Sequence, residues 1–151
     1  VRFAVEDVGM ADPMALVQSI SGWQAFERIG SPEGELILAQ ITIYMATAPK
    51  SNSTYKAFNE AIDFAKENGS LTPPKHALNA PTNLLREIGY GFGYEYDHNT
   101  KNGFSGQSYF PDNLPREQFY RPTNRGFEDN IKKRLEEWKK FRDRNGKDLM
   151  P

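Results

Sequence analysis

Apolar residues recur at three- or four-residue steps through the first half of the chain, and turn-forming residues divide them into three runs. Asp12 and Pro13 supply an N-cap and a proline for the first helical position. Gly30 and Gly69 stand where the first and third runs end, as glycines at helix C-termini do. Because links this short place consecutive helices side by side, the pattern predicts an antiparallel α-helical bundle over residues 10–69.

The second run, about residues 32–48, is apolar nearly all round, which is typical of a helix in the middle of a bundle. Helical period predicts that Trp23, Ile41 and Trp138 are core residues. The first two helices together carry more large apolar residues than a three-helix hairpin can cover. A contiguous remainder larger than roughly a few hundred Å² would mark an interface with another chain.

Residues 70–122 show no clear period and are rich in glycine, proline, asparagine and aromatic residues. So many aromatic residues argue against disorder and predict an ordered loop region before the last helix. Within it, "GYGFGYEY" (89–96) has the spacing G-x-G-x-G and follows a short predicted helix. A dinucleotide fingerprint requires G-x-G-x-x-G between a strand and a helix. We therefore predict that Gly89 and Gly91 form a structural turn and bind no phosphate.

The last predicted helix covers residues 123–144 and has one apolar face and one highly charged face. Its basic residues alternate with Glu128, Asp129, Glu136, Glu137 and Asp143, and this alternation predicts a solvated face. Arg121 and Arg125 flank the start of the helix, which is a natural site for an anion. The candidate contacts with DNA or another anion are Arg121, Arg125, Lys132 and Lys133. Ion pairing within the fold is the alternative role for these side chains.

The amino-acid composition excludes several kinds of binding site and catalysis. The 19 basic and 20 acidic side chains leave a net charge of -1, which does not indicate strong nonspecific binding to nucleic acid. The absence of cysteine excludes disulfides, thiolate catalysis and cysteine-ligated zinc, and it fits a cytoplasmic protein. His76 and His98 lie in separate loops without the spacing of a metal site. The longest apolar stretch is too short and interrupted to span a bilayer, so no membrane contact is expected. We predict no catalytic residue, metal site or cofactor in this chain.

Five motifs occur in the order in which one known family has them. They are "EDVGMADP" (6–13), "AFERIGSPEGELILAQ" (25–40), "APKSN" (48–52), "NAPTNLLREIGYG" (79–91) and "RPTNRGFE" (121–128). Together they resemble the C-terminal domain of the bacterial replication-associated recombination protein A (MgsA) family of AAA+ ATPases, which is related to clamp loaders and to Werner helicase-interacting protein. The chain departs from the family pattern at Val5, where a serine is frequent, and at Leu78, where an arginine is frequent.

The resemblance implies an all-α helical bundle like the collar of clamp loaders. Residues 1–9 would end a helix of the AAA+ lid in a longer chain, and residues 10–151 would form an oligomerisation domain that assembles as a homotetramer. The family motifs imply structural roles for Glu6, Asp7, Asn79, Pro81, Gly89 and Gly91.

The resemblance also implies a setting for the parent protein, namely a DNA-dependent AAA+ ATPase that acts in replication, recombination and repair at stalled forks. ATP and Mg²⁺ would bind the upstream AAA+ core, because this chain contains no Walker motif. The chain by itself would not be an enzyme. The implied partners are further copies of the chain, its own AAA+ core, DNA through the full-length protein, and single-stranded DNA-binding protein, in the bacterial cytoplasm at the nucleoid. The alternative is a module of the same ATPase that binds DNA or a partner protein.

Overall fold

The computed structural model describes residues 1–145, and the last residues of the predicted domain, 146–151, lie outside it. The described residues contain helices and loops and no β-strand, so the predicted all-α fold is confirmed. The long helices are α1 (Met14–Ile29), α2 (Glu35–Thr47), α3 (Ser53–Asn68) and α5 (Glu128–Arg144), with a short α4 (Asn83–Glu87) between the last two. A π-helical turn (Ala4–Val8) and 3-10 turns (Gly9–Ala11, Lys75–Ala77, Asp97–Asn99) complete the helical content.

The chain forms two compact units. The first consists of Val1–Phe64 and Gln118–Arg134, and the second consists, within the described residues, of Ala65–Glu117 and 135–145. Both α3 and α5 therefore contribute residues to each unit.

The first unit is built around a small apolar core. Ala4 and Val8 of the N-terminal π-helical turn and Ala15 of α1 are buried, and Tyr44 and Met45 of α2 pack against them. Two of these three buried residues are alanines, so α1 and the N-terminal turn approach each other closely. The core is made of small side chains and cannot by itself account for the many large apolar residues of these helices.

The helix starts follow the predicted signals only in part. The Asp12 carboxylate accepts a hydrogen bond from the Met14 backbone N–H at 3.1 Å, so Asp12 caps α1 as predicted. Gly30 ends α1 with φ +73°, and its N–H donates to the Phe26 carbonyl. The second helix was expected from residue 32, but α2 begins at Glu35. A turn in which the Gly34 N–H donates to the Gly30 carbonyl occupies the intervening residues.

In the described residues α2 packs mainly on α1, and the expected extensive packing of α3 along α2 is not observed. The reason lies in the link after α2. Lys50 directs its ammonium onto the last carbonyls of α2, including Met45 at 2.7 Å. The Ser51 N–H donates to the Asp7 carbonyl at 2.7 Å, which holds the link on the N-terminal turn. A short link therefore does not fold α3 back along α2.

The predicted core residues must be corrected. Trp23 is 57% exposed and Trp138 is 37% exposed, whereas Ile41 is half-buried. Moreover, no residue of α2 is buried, so its predicted place in the middle of a bundle is wrong for the single chain. Trp138 lies in the second unit, where one face of its indole stacks on the Phe104 ring with 4.6 Å between centroids.

The glycine-rich stretch of the second unit is a turn, as predicted. Gly89, Gly91 and Gly93 have φ values of +90°, +73° and +79°, a region that side chains with a β-carbon rarely adopt. The amide of Gln107 fixes the next residues by accepting from the Glu95 N–H at 2.9 Å and donating to the Gly93 carbonyl at 2.7 Å. Hydrogen bonds within the loop region thus hold this stretch in place.

The last helix begins later than predicted. Its first residue is Glu128, whereas the sequence pattern placed the start at residue 123. Thr123 to Phe127 form a turn in which the Thr123 hydroxyl accepts from the Arg125 N–H at 3.2 Å. The Phe127 N–H donates to the Ala11 carbonyl at 2.8 Å, which attaches this turn to the N-terminal part of the first unit.

Candidate functional site: the apolar surface of helices α1 and α2

On α1, small residues are buried and several large apolar residues are exposed. The buried residues of the helix are Ala15, Ser19 and Gly22. A β-carbon built at Gly22 would overlap the Ile41 side chain as it lies here, so the missing side chain of Gly22 makes room for Ile41 where α1 meets α2. The small residues therefore face the core and allow close packing of the two helices.

Several large apolar residues of α1 are exposed to water. Leu16, Ile20 and Trp23 are 37%, 42% and 57% exposed, respectively. They are four and three residues apart, so they form one continuous line along the helix, which we call the α1 stripe. Burying a large apolar side chain contributes about 1.5–3 kcal/mol, so this line is a substantial unused source of binding energy.

A second exposed apolar surface lies on α2. Leu36 is 77% exposed and Ile43 is 65% exposed, and Ala39 and Gln40 between them are exposed as well. The four residues follow the i, i+3, i+4, i+7 spacing of one helix face, which we call the α2 face. Residues 36–49 contain no charged side chain. A helix face that remains in water normally carries charge, and the α2 face has none.

An apolar groove lies on the other side of α2. It has a volume of about 280 Å³ and is lined by side chains that include Phe3, Trp23, Phe26, Leu38 and Met45. Leu38 lies about 200° around the helix from Leu36, because successive residues turn by about 100°. The groove and the α2 face are therefore two separate apolar surfaces. Trp23 joins the groove to the α1 stripe.

The arginines predicted as anion contacts have partners inside the first unit. Arg121 forms an ion pair with Glu60 of α3 at 2.5 Å. The Arg125 guanidinium donates to the Lys50 carbonyl at 3.0 Å. Both side chains thus tie the link before α5 to neighbouring parts of the chain, which is the alternative role that the sequence left open.

The two lysines of the candidate set also have partners within the chain. Lys132 donates to the Asn124 side chain at 2.8 Å, and Lys133 pairs with Asp129 at 2.6 Å. Each of the four basic side chains has a different partner, and no shared contact brings them together. DNA contact by these residues stays a prediction.

The motif residues at the chain's beginning bind locally. The Glu6 carboxylate accepts from the Arg2 guanidinium at 2.6 Å, one turn earlier on the exposed surface. This hydrogen bond and the charge of Arg2 hold the pKa of Glu6 below its usual value. Asp7 accepts the Ser51 N–H through its backbone carbonyl.

The remaining motif residues surround the glycine turn of the second unit. The Gly91 N–H donates to the Lys75 carbonyl at 2.8 Å, and Gly89 lies two residues after the end of α4. Asn79 and Pro81 are exposed and lie shortly before that helix. Their proposed structural role therefore stays a prediction.

The sequence interpretation missed Glu128. The charge pattern of the last helix predicts a solvated position for Glu128, but its side chain is fully buried at 0% exposure. Its carboxylate accepts from the Thr123 N–H at 2.8 Å, from the Thr123 hydroxyl at 2.7 Å and from the Tyr120 hydroxyl at 2.8 Å. A capping box places its acid three residues after the cap, and the five-residue separation here hides the relation in the sequence.

The surroundings of Glu128 set its ionisation. Burial raises the pKa of Glu128, but hydrogen bonds from Thr123, Ser51 and Tyr120 outweigh burial and lower the pKa below its ordinary value of 4.5. Burial, together with the hydrogen bond to this carboxylate, raises the pKa of Tyr120 far above its usual range. Both groups hold fixed protonation states around neutral pH, as a structural network does.

We found no group of side chains suited to a metal ion. Across residues 1–145, no three His, Cys, Asp or Glu residues cluster as ligands. The two histidines contact aromatic rings: His76 lies beside Tyr109, with 5.6 Å between ring centroids, and His98 lies beside Tyr96 at 4.9 Å. None of the helices in this part of the chain combines the length and the apolar character needed to cross a bilayer.

Comparison with known proteins places these features in a family. The family described as "MgsA AAA+ ATPase C terminal" matches residues 1–139. Replication-associated recombination protein A of Coxiella burnetii is 46% identical over 146 residues, which cover 96% of this chain and 33% of that protein. The protein of the same name from Escherichia coli K12 is 44% identical over 143 residues, which cover 94% of this chain and 32% of that protein.

A eukaryotic relative extends the similarity. ATPase WRNIP1 of Dictyostelium discoideum is 34% identical over 125 residues, which cover 80% of this chain and 14% of that protein. The chain spans about a third of the length of the bacterial relatives named above.

Proposed function

We propose that this chain, which belongs to the MgsA AAA+ ATPase C-terminal family, holds several copies of its parent ATPase together. Its bacterial relatives carry the name Replication-associated recombination protein A. The parent is accordingly proposed to be a DNA-dependent AAA+ ATPase of replication, recombination and repair at stalled forks. ATP and Mg²⁺ would bind its AAA+ core, and the present residues would supply no chemistry.

The observation that carries this proposal is the exposure of large apolar side chains on α1 and α2. Small residues such as Ala15 and Gly22 are buried, whereas Trp23, Leu36 and Ile43 are exposed by half or more. Water-exposed apolar surface of this kind supports a contact with another protein. The exposed area is distributed over several helix turns on more than one side, which suits an assembly better than a small-molecule site.

The alternative of a DNA-binding module has less support in the side chains. Strong binding to DNA requires lysines and arginines that are free to neutralise phosphates. Arg121, Arg125, Lys132 and Lys133 are each engaged by a partner in the chain. A phosphate would have to displace these contacts, whereas a second copy of the chain would cover apolar surface that is exposed to water.

The test is the mass of the chain in solution, measured by light scattering from low to high micromolar concentration. A closed symmetric assembly is the usual outcome for a homo-oligomer, and the family resemblance specifies four copies. We therefore expect four times the 17.2 kDa of one chain. A mass of one chain at every concentration would overturn the proposal. Tight binding of forked DNA that resists salt would then favour the DNA-binding module.

A separate measurement tests the assignment of nucleotide chemistry to the AAA+ core. Isothermal calorimetry of this chain with ATP and Mg²⁺ should show no binding, because no phosphate-cradling loop is present in the sequence. Stoichiometric micromolar binding would contradict it.

Proposed partners beyond the chain itself are the AAA+ core, DNA through the full-length protein, and single-stranded DNA-binding protein. Their proposed meeting place is the bacterial cytoplasm at the nucleoid.

A further inference from the structure

We propose that the α2 face pairs with the α2 face of a second copy across a two-fold axis that passes between Ala39 and Gln40. The proposal rests on the self-association described above and specifies where one of its contacts lies. It starts from two facts: Leu36 and Ile43 are 77% and 65% exposed, and residues 36–49 carry no charge.

The absence of charge favours a second copy over other occupants. A two-fold axis brings each side chain close to its own copy, so any charge near the axis would meet a like charge. The α2 face avoids this repulsion entirely. A partner of different sequence would gain specificity from charges on this face, and the face offers none.

The order of residues along the face is symmetric about its middle. If two copies of α2 cross in opposite directions, Leu36 lies opposite Ile43 of the second copy, and Ala39 lies opposite Gln40 of the second copy. The small Ala39 side chain lets the helices approach at the crossing point. Gln40 brings an amide with both donors and an acceptor, so two glutamine amides near the axis can bond to each other.

The size of the face argues that this contact is one of two. A helix of 13 residues is about 20 Å long, and a strip about 10 Å wide covers on the order of 200 Å². A standard interface buries about 800 Å² on each partner. The α2 pair therefore needs a second contact to be stable, and the groove and α1 stripe on the other side of α2 offer one. Two different two-fold contacts on each chain generate a closed tetramer with dihedral symmetry.

Single-cysteine cross-linking tests the pairing directly, because the natural chain has no cysteine. The Gln40→Cys variant should form disulfide-linked pairs on mild oxidation, because a disulfide forms only when the two Cα atoms come within about 7 Å. The matched control is Thr42→Cys, which is exposed on the same helix but lies well outside the face. We expect Gln40→Cys to cross-link at least about tenfold faster, since only position 40 lies near the proposed axis.

A charge substitution gives an independent readout. Ile43→Lys would bring two ammonium groups into the pair, whereas Thr42→Lys places the same charge on the neighbouring exposed position. The expected result is half the wild-type mass or less for Ile43→Lys and an unchanged mass for Thr42→Lys. Circular dichroism should show equal helicity for both variants, because both positions are exposed in the single chain.

The outcomes separate this proposal from the one it rests on. If the wild-type chain is an oligomer but Gln40→Cys cross-links no faster than Thr42→Cys, or if Ile43→Lys keeps the full mass, the two-fold pairing is wrong and self-association stands. If the wild-type chain is a monomer at every concentration, both proposals fail together.

Discussion

Replacing Glu128 with glutamine should lower the free energy of unfolding by about 2–4 kcal/mol. The carboxylate is fully buried and accepts hydrogen bonds from Tyr120 and twice from Thr123. A hydrogen bond to a charged group contributes about 1.5–3 kcal/mol, and a buried donor left without a partner costs about 1–3 kcal/mol. Glutamine keeps the shape and one oxygen, but its NH₂ group would face a donor. The expected loss of unfolding free energy is therefore smaller than the sum of the three hydrogen-bond energies.

Urea unfolding followed by circular dichroism measures this loss. With a denaturant slope of about 1–3 kcal/mol/M, a loss of about 3 kcal/mol moves the midpoint by roughly 1–3 M. The matched control is Glu136→Gln, which removes the same charge from an exposed position on the same helix. Its effect should stay within about 0.5 kcal/mol. If the two variants unfold at the same urea concentration, the carboxylate of Glu128 does not hold the turn before α5, and our interpretation of the network is wrong.

Three further predictions concern Glu128, Gly126 and Trp23. Hydrogen bonds hold the pKa of Glu128 below 4.5 in the folded chain. Its stabilisation is therefore complete above that pH and is lost as the pH falls through the lowered value. In urea melts, the gap between wild type and Glu128→Gln should be widest at neutral pH and should narrow steadily as the pH is lowered below 4.5. Gly126→Ala should lower the free energy of unfolding by at least about 2 kcal/mol, because φ of Gly126 is +53° and a β-carbon would overlap the Ala11 carbonyl. The control Gly69→Ala, where φ is +67° and the space is open, should cost about 1 kcal/mol in a thermal melt. Equal losses would contradict the steric explanation. Truncation of a buried tryptophan costs about 3–5 kcal/mol of unfolding free energy. Trp23→Ala should cost well under this in the dilute, monomeric chain, since 57% of the residue is exposed. If chemical denaturation of the dilute chain shows the full loss of stability, Trp23 belongs to the core of the single chain.

Local signals in the sequence identified much of the secondary structure. Asp12 caps α1, Gly30 ends it, and the Thr82 hydroxyl caps α4 by accepting from the Leu85 N–H at 3.3 Å. These signals work because a cap or a left-handed glycine acts on backbone groups only a few residues away. The start of α5 was misplaced by several residues, because the turn before it is fixed by a contact with Ala11, far away in the sequence.

Family membership was also visible in the sequence, since five motifs in the right order span nearly the whole chain and the family matches residues 1–139. The candidate site was only half visible. An excess of large apolar residues on the first two helices indicated an interface, but nothing in their spacing said which of them would face outward. A helix that is apolar on every side, as α2 is, has no period from which its inner face can be read.

The sequence by itself therefore determined that the chain is helical, where most helices begin and end, and to which family it belongs. The tertiary structure alone decided which side chains are inside. Gly22 lets α1 approach Ile41 so closely that small residues fill the contact, which leaves Trp23 and Leu36 facing water. The structure likewise buried Glu128, whose carboxylate accepts a hydrogen bond from Ser51, far earlier in the chain, besides those from the preceding turn, which docks on Ala11. Both outcomes depend on contacts between residues distant in the chain, and such contacts leave no local pattern in the sequence.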